Sequence, residues 1–172
     1  MASALTSENV HDAWSALTEE VRTAVLLTMR NGRPFGSHVP YIFESNWTRA
    51  YLHLSRLALH TQHLLADQRV SLFIAEPDGP EKNPLALRRL NLQGEAVILS
   101  RDAPSYDAIK ERYLERFPQA EMMFGFGDFA LWELRLDDAH FVLGFGQAFI
   151  SSSTNPSSWL HQKVERGASG KG

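Results

Sequence analysis

A chain of 172 residues with no cysteine and a net charge of −3 is long enough for one domain with a real core and needs no disulfide to fold. The missing cysteines exclude thiolate metal sites and a cysteine nucleophile, and the slight acidity argues against a nucleic-acid surface, which carries a basic excess. No apolar run approaches the roughly 18 residues of a membrane helix, and the first residues lack a signal peptide's basic start and apolar stretch, so a cytoplasmic protein is expected, with neither nucleic acid nor membrane as partner.

In chain order, Ser7 is expected to cap a helix that carries Val10, Trp14 and Leu17 on one face. Residues 21–29 are rich in Val, Leu and Thr, as strands are, and Asn31-Gly32 is a strong hairpin signal. The next strand should run over 34–44 and a third over 50–54. A helix is expected over 55–66, with Leu57, Ala58, Leu64 and Leu65 near one stripe. A buried strand over 70–75 and a proline-rich loop over 76–84 lead to a long strand over 90–99, where Gly94 marks a bulge or a close approach. Asp102, Pro104 and Ser105 open a helix that runs to Phe117, with Tyr106, Ile109 and Tyr113 on its inner face. Two strands over 130–136 and 140–145 should be joined by a turn at Asp137-Asp138. After Ile150 the composition turns to Ser, Asn, Pro and Gly. One domain over 1–150 and a loose polar tail over 151–172 are therefore expected, with Trp159 and Leu160 as residues able to dock. Six or more strands in hairpin succession with three helices predict a mainly β fold, a barrel with flanking helices.

The site signal is strongest around Ser55 and Arg56. A strand running straight into a helix puts a hydroxyl and a guanidinium beside the partial positive charge of a helix start, which suits a phosphate group. The competing reading is a plain serine cap with a surface arginine. His53, His60 and His63 suggest a metal site, but no carboxylate sits at matching spacing, so packed histidines are the simpler reading and no metal is expected. The glycine pairs at 125/127 and 144/146 lack the spacing and the following helix of a dinucleotide loop.

Four stretches resemble the pyridoxamine 5'-phosphate oxidase-like FMN-binding split-barrel superfamily, nearest its haem-utilisation (HugZ-like) branch. They are Ala24–Thr28 with Asn31-Gly-Arg-Pro34 and Ser37-His-Val-Pro-Tyr41; Ser55-Arg-Leu-Ala-Leu-His-Thr61 with Asp67-Gln-Arg-Val-Ser-Leu72; Pro84 through Gly94; and Leu131-Trp-Glu-Leu with Phe141 through Ala148. The resemblance implies an FMN-dependent oxidoreductase acting on a small molecule, with flavin bound at a homodimer interface. Ser37, His38, Val39 and Pro40 would line the ring, with His38 nearest it. Ser55 and Arg56 would hold the phosphate, Leu57 would offer its backbone, His60 and Thr61 would sit close by, and Arg89 would reach the cofactor. The flavin would accept hydride and pass electrons to oxygen or another acceptor. Where the oxidases carry a lysine after the Ser-Arg pair this chain has Leu57, and their closing Arg-x-His is replaced by Gly-Phe-Gly-Gln-Ala, so pyridoxamine phosphate is not the expected substrate. The same resemblance admits a haem-binding or haem-degrading protein, with His161, His63 or His140 as iron ligand, and a non-catalytic flavin or haem carrier.

Overall fold

The computed structural model describes residues 6–162. Thr6 caps helix α1 (Ser7–Glu20): its hydroxyl accepts from the Asn9 N–H, and the Asn9 side chain accepts from the Thr6 N–H. The cap thus falls one residue ahead of Ser7, whose hydroxyl instead accepts from the Trp159 N–H at 3.1 Å. Val10, Trp14 and Leu17 are buried along one side of α1.

Strands β1 (Thr23–Arg30) and β2 (Arg33–Pro40) form the expected hairpin. Asn31 and Gly32 sit at φ 51° and 73°, the left-handed pair that a tight two-residue turn requires. The strand expected over 34–44 breaks at Tyr41 into β2 and the short β3 (Ile42–Phe43). Pro40 has no N–H to give a ladder, and the Tyr41 ring turns inward, its hydroxyl meeting the carbonyls of Thr18 and Val21. Next come β4 (Arg49–Ser55), helix α2 (Leu59–Ala66), β5 (Arg69–Ala75) and β6 (Arg89–Ile98). Helices α3 (Tyr106–Arg116) and α4 (Glu121–Phe124) precede β7 (Phe129–Gly144), β8 (Gln147–Ser152) and β9 (Leu160–His161). All pairings are antiparallel. Among the described residues the nine strands form one sheet in the order β2-β1-β5-β6-β7-β4-β3, with β8 and β9 branching from β7. It curls into a half-barrel, the mainly β fold read from the sequence.

Residues 129–144 form one strand and not two. Asp137 is an extra residue in β7, since Gln93 pairs with Asp138 and Gly94 with Leu136. The acidic pair makes a bulge because both its flanks find the same partner strand, β6. Gly94 is required opposite it: a Cβ there would stand 2.0 Å from the Arg135 carbonyl oxygen. The backbone groups of the bulge are also answered from outside, with Leu136 N–H donating to Thr48 and Ser153 N–H donating to Asp137.

The main core fills the curl with Leu26, Leu52, Leu72, Ile74, Leu90, Leu92, Trp47, Trp132 and Phe141, closed at one end by α1. A second cluster seats α3 and α4 on the other side of β4 and β7 through Ile109, Tyr113, Phe117, Phe124 and Leu131. The segment expected as a loose tail is built into the first core up to residue 162; residues 163–172 lie outside the described part. β8 runs on to Ser152, β9 pairs with β8, and Trp159 is 5% exposed, its ring centroid 6.0 Å from that of Phe141 and 6.2 Å from that of Trp47. Trp47 Nε1 donates to the Pro156 carbonyl at 3.0 Å. Leu160 stays exposed. Trp159→Ala is expected to cost about 3–5 kcal/mol in urea unfolding, the scale of emptying a buried aromatic site; a cost near zero would mean that the segment is a detached tail.

Candidate functional site

Ser55 is the last residue of β4, paired with Phe129, and α2 starts at Leu59. The helix therefore begins four residues later than the sequence suggests, because β7 continues the ladder as far as Ser55 before the chain can turn. Ala58, which offers no side-chain bond, stands at the cap. The three N–H groups between strand and helix are all used inside the protein. Arg56 N–H donates to the Asp128 carbonyl at 2.7 Å, Leu57 N–H to the Ser55 hydroxyl at 3.1 Å, and Ala58 N–H to the Ser55 carbonyl at 3.2 Å. Gln62 Nε2 donates to the Arg56 carbonyl at 2.5 Å and ties the turn to the helix. The Ser55 hydroxyl in turn donates to the Asp128 carboxylate at 2.7 Å.

This corner does not fit the FMN phosphate. Its hydroxyl proton and its turn amides are spent, and a dianion seeking Ser55 would stand against Asp128. Like charges about 4 Å apart near a protein surface cost on the order of 4 kcal/mol. Arg56 alone keeps the expected character: it is exposed and forms no ion pair among the described residues. Leu57 does not offer its backbone, and its side chain is 85% exposed. Thr61 is fully buried, and its hydroxyl has no hydrogen-bond partner among the described residues. Asp128 is the residue that sequence reading missed; it closes a glycine-rich loop, and nothing local signals that its carboxylate returns to Ser55.

The remaining expected residues do not converge on this corner. Arg89 pairs with Val142 while Ser55 pairs with Phe129, thirteen residues away along β7, or about 40 Å of extended strand. Arg89 donates to the Leu87 carbonyl at 3.2 Å. On β2, Ser37 is half-buried and Val39 buried, whereas His38 and Pro40 are exposed on the opposite face. His38 begins a cross-strand row through Val25, Phe73 and Asn91 to His140. No described helix covers that outer face. Its apolar members Val25, Leu27, Met29 and Phe73 are half-exposed, and Leu27, Met29, Asn91 and Gln93 line a hollow of about 310 Å³.

The histidines divide by burial. His53 lies in the second core, stacked on Phe124 at 3.7 Å between centroids and 7° between planes. Burial, helped by the nearby Arg101 and Lys110 charges, pushes its pKa down to about 4. His63 Nδ1 is 3.0 Å from the buried Thr28 hydroxyl, and Phe35 meets its ring edge-on. His60 is half-buried beside it, its pKa lowered by burial and then by His63. These three are packed histidines, and no metal-binding cluster of His, Asp and Glu occurs among the described residues. By contrast His161 is exposed, its Nε2 3.1 Å from the Gly146 carbonyl, next to Phe145, which is 81% exposed. His140 Nε2 meets Gln162 Oε1 at 3.0 Å.

A curled antiparallel sheet flanked by helices defines the split-barrel class. The chain matches the family model for pyridoxamine 5'-phosphate oxidase over residues 10–143, and it belongs to that family. It is 29% identical over 147 residues to the haem oxygenase HutZ of Vibrio cholerae, covering 83% of this chain and 81% of that protein. It is 33% identical over 121 residues to the chloroplastic haem oxygenase HOZ of Arabidopsis thaliana, covering 70% of this chain and 35% of that one, about a third of its length. A crystal structure of V. cholerae HutZ, described as a haem storage protein, superposes with a TM-score of 0.63 at 25% identity, over 73% of this chain and 89% of that one. The family likeness is thus borne out, near the haem-utilisation branch. No described helix is long and apolar enough to cross a membrane.

The buried His53 generates a pH prediction. Its pKa falls from 6.5 to about 4 on folding, so the unfolded chain binds the proton more readily. The stability of the neutral form is complete above pH 6.5 and is lost as pH falls towards 4. Urea titrations should show the wild type losing on the order of 2 kcal/mol more than His53→Phe across that window. Parallel pH profiles for the two proteins would show that His53 does not couple folding to protons.

Proposed function

We propose that this chain binds haem as a homodimer and takes part in its oxidative breakdown, and that FMN is not its ligand. The observation that carries this is the likeness to HutZ across four-fifths of both chains. The closed corner at Ser55 supports it, since the feature that argued for a phosphorylated flavin is internally satisfied. Haem is the substrate in this reading; its oxidation consumes oxygen and electrons from a donor, and the protein supplies an iron ligand, an apolar seat and orientation.

Among the histidines named from sequence, His63 is committed to Thr28 and cannot turn outward without giving up that buried contact and its edge-on packing with Phe35. His161 suits the ligand role best. It is exposed, its one side-chain hydrogen bond among the described residues is to the Gly146 carbonyl, its ring lies 5.0 Å from that of Phe149, and Phe145, the residue before Gly146, presents exposed apolar surface to a macrocycle. His140, held by Gln162, is second. The open outer face supports the dimer in this reading: Val25, Leu27, Met29 and Phe73 sit in one patch that a second copy would cover. A cytoplasmic location accords with the lack of cysteine.

Titration with ferric haem should give a Soret band saturating at one haem per chain, and the band should bleach when ascorbate and oxygen are added. His161→Ala is expected to weaken binding at least about tenfold and shift the band, the loss of an iron–imidazole bond, while His140→Ala changes affinity less. Flavin absorbance in the purified protein with no Soret response would reverse the assignment. Sedimentation should report a dimer for the wild type and a monomer for Phe73→Glu, which places a charge in the patch; a monomeric wild type defeats the dimer.

A further inference from the structure

We propose that Asp128 is a selectivity residue that turns phosphorylated ligands away from the β4–α2 corner. That corner has what an anion seeks: the start of α2, and Arg56, exposed and without an ion pair among the described residues. Left alone, these would attract any phosphate monoester that reached the turn. Asp128 opposes them in two ways. Its carboxylate accepts the Ser55 O–H at 2.7 Å, so that donor is no longer turned towards a ligand. Its negative charge then stands against Ser55 itself, where like charge disfavours a second anion on the same hydroxyl. The backbone of the same residue holds the turn shut through the Arg56 N–H.

The arrangement is held from both sides, so it is a property of the fold and not of one flexible side chain. Phe129, the residue after Asp128, is paired with Ser55 in the β4–β7 ladder, and Arg56 N–H donates to the Asp128 carbonyl, so the sheet itself sets Asp128 beside Ser55. The Ser55 oxygen accepts from Leu57 N–H while donating to Asp128, so its hydroxyl is fixed in direction. A ligand lacking a phosphate does not meet this barrier.

The inference is independent of the haem reading: a chain that failed to bind haem would still reject FMN here. The experiment compares FMN with riboflavin, the same ring without the phosphate, by quenching of flavin fluorescence in wild type, Asp128→Asn and Asp128→Ala. In the wild type FMN should bind more weakly than riboflavin. Removing the charge should raise FMN affinity at least about tenfold in both variants, as expected for a like charge taken from an anion's path, and move riboflavin less than about twofold. Salt should weaken the gained FMN binding, because Arg56 then pairs with the phosphate. FMN binding as tight as or tighter than riboflavin in the wild type overturns the proposal, and that arm needs no variant to fold. So does an unchanged FMN affinity in folded Asp128→Asn or Asp128→Ala, or an equal gain for both flavins.

Discussion

β7 hydrogen-bonds along its sixteen residues to β4, β6 and β8, and Gly94 is what lets it do so. A flat strand of that length could not serve two halves of a curled sheet. The bulge at Asp137 bends it, and the bend presses the Arg135 carbonyl so close to position 94 that no side chain fits there. The two cores then fall on opposite faces of one strand: Trp132 and Leu134 reach the interior of the curl, while Leu131 meets α3 and α4. The chemistry of the molecule is disposed along the same strand. Its start brings Asp128 to Ser55, and its far end carries His140 and leads through Phe145 to the turn that His161 touches.

The Ser55 turn shows how a motif can keep its residues and change its meaning. Serine, arginine and a following helix are an anion site when the amides are free. Here every amide of the turn has an internal acceptor and the hydroxyl is bound to a carboxylate. The same three residue types then make a structural lock. Membership of the family is shown by a match over residues 10–143, while the similar proteins HutZ and HOZ are described as haem oxygenases. A closed corner and haem-linked relatives agree with one another.

Features governed by short-range rules are legible in the amino-acid sequence. Asn31-Gly32 announces its hairpin, since few other pairs adopt two left-handed residues in succession. Gly94 declares a close approach, and Tyr106, Ile109 and Tyr113 declare the buried side of α3. Asp137-Asp138 misleads because a turn and a bulge draw on the same residues, and only a continuous partner strand distinguishes them. Ser55 misleads in the same way, for a serine ending a strand and a serine capping a helix look identical until the ladder with β7 is counted. The tail misleads by composition: its polar residues surround Trp159, and one buried indole outweighs them.

The amino-acid sequence by itself determined the β1–β2 hairpin, the buried sides of α1 and α3, the mainly β class and the family, because periodicity, turn residues and local motifs act within a few positions of the chain. Tertiary structure alone decided which groups meet. Asp128 and Ser55 are distant in sequence, as are Trp159 and Ser7, or His63 and Thr28, and each pair is brought together only when the sheet closes its register. Whether a polar group is free for a ligand depends on its partner, and partners in this fold come from the other end of the chain.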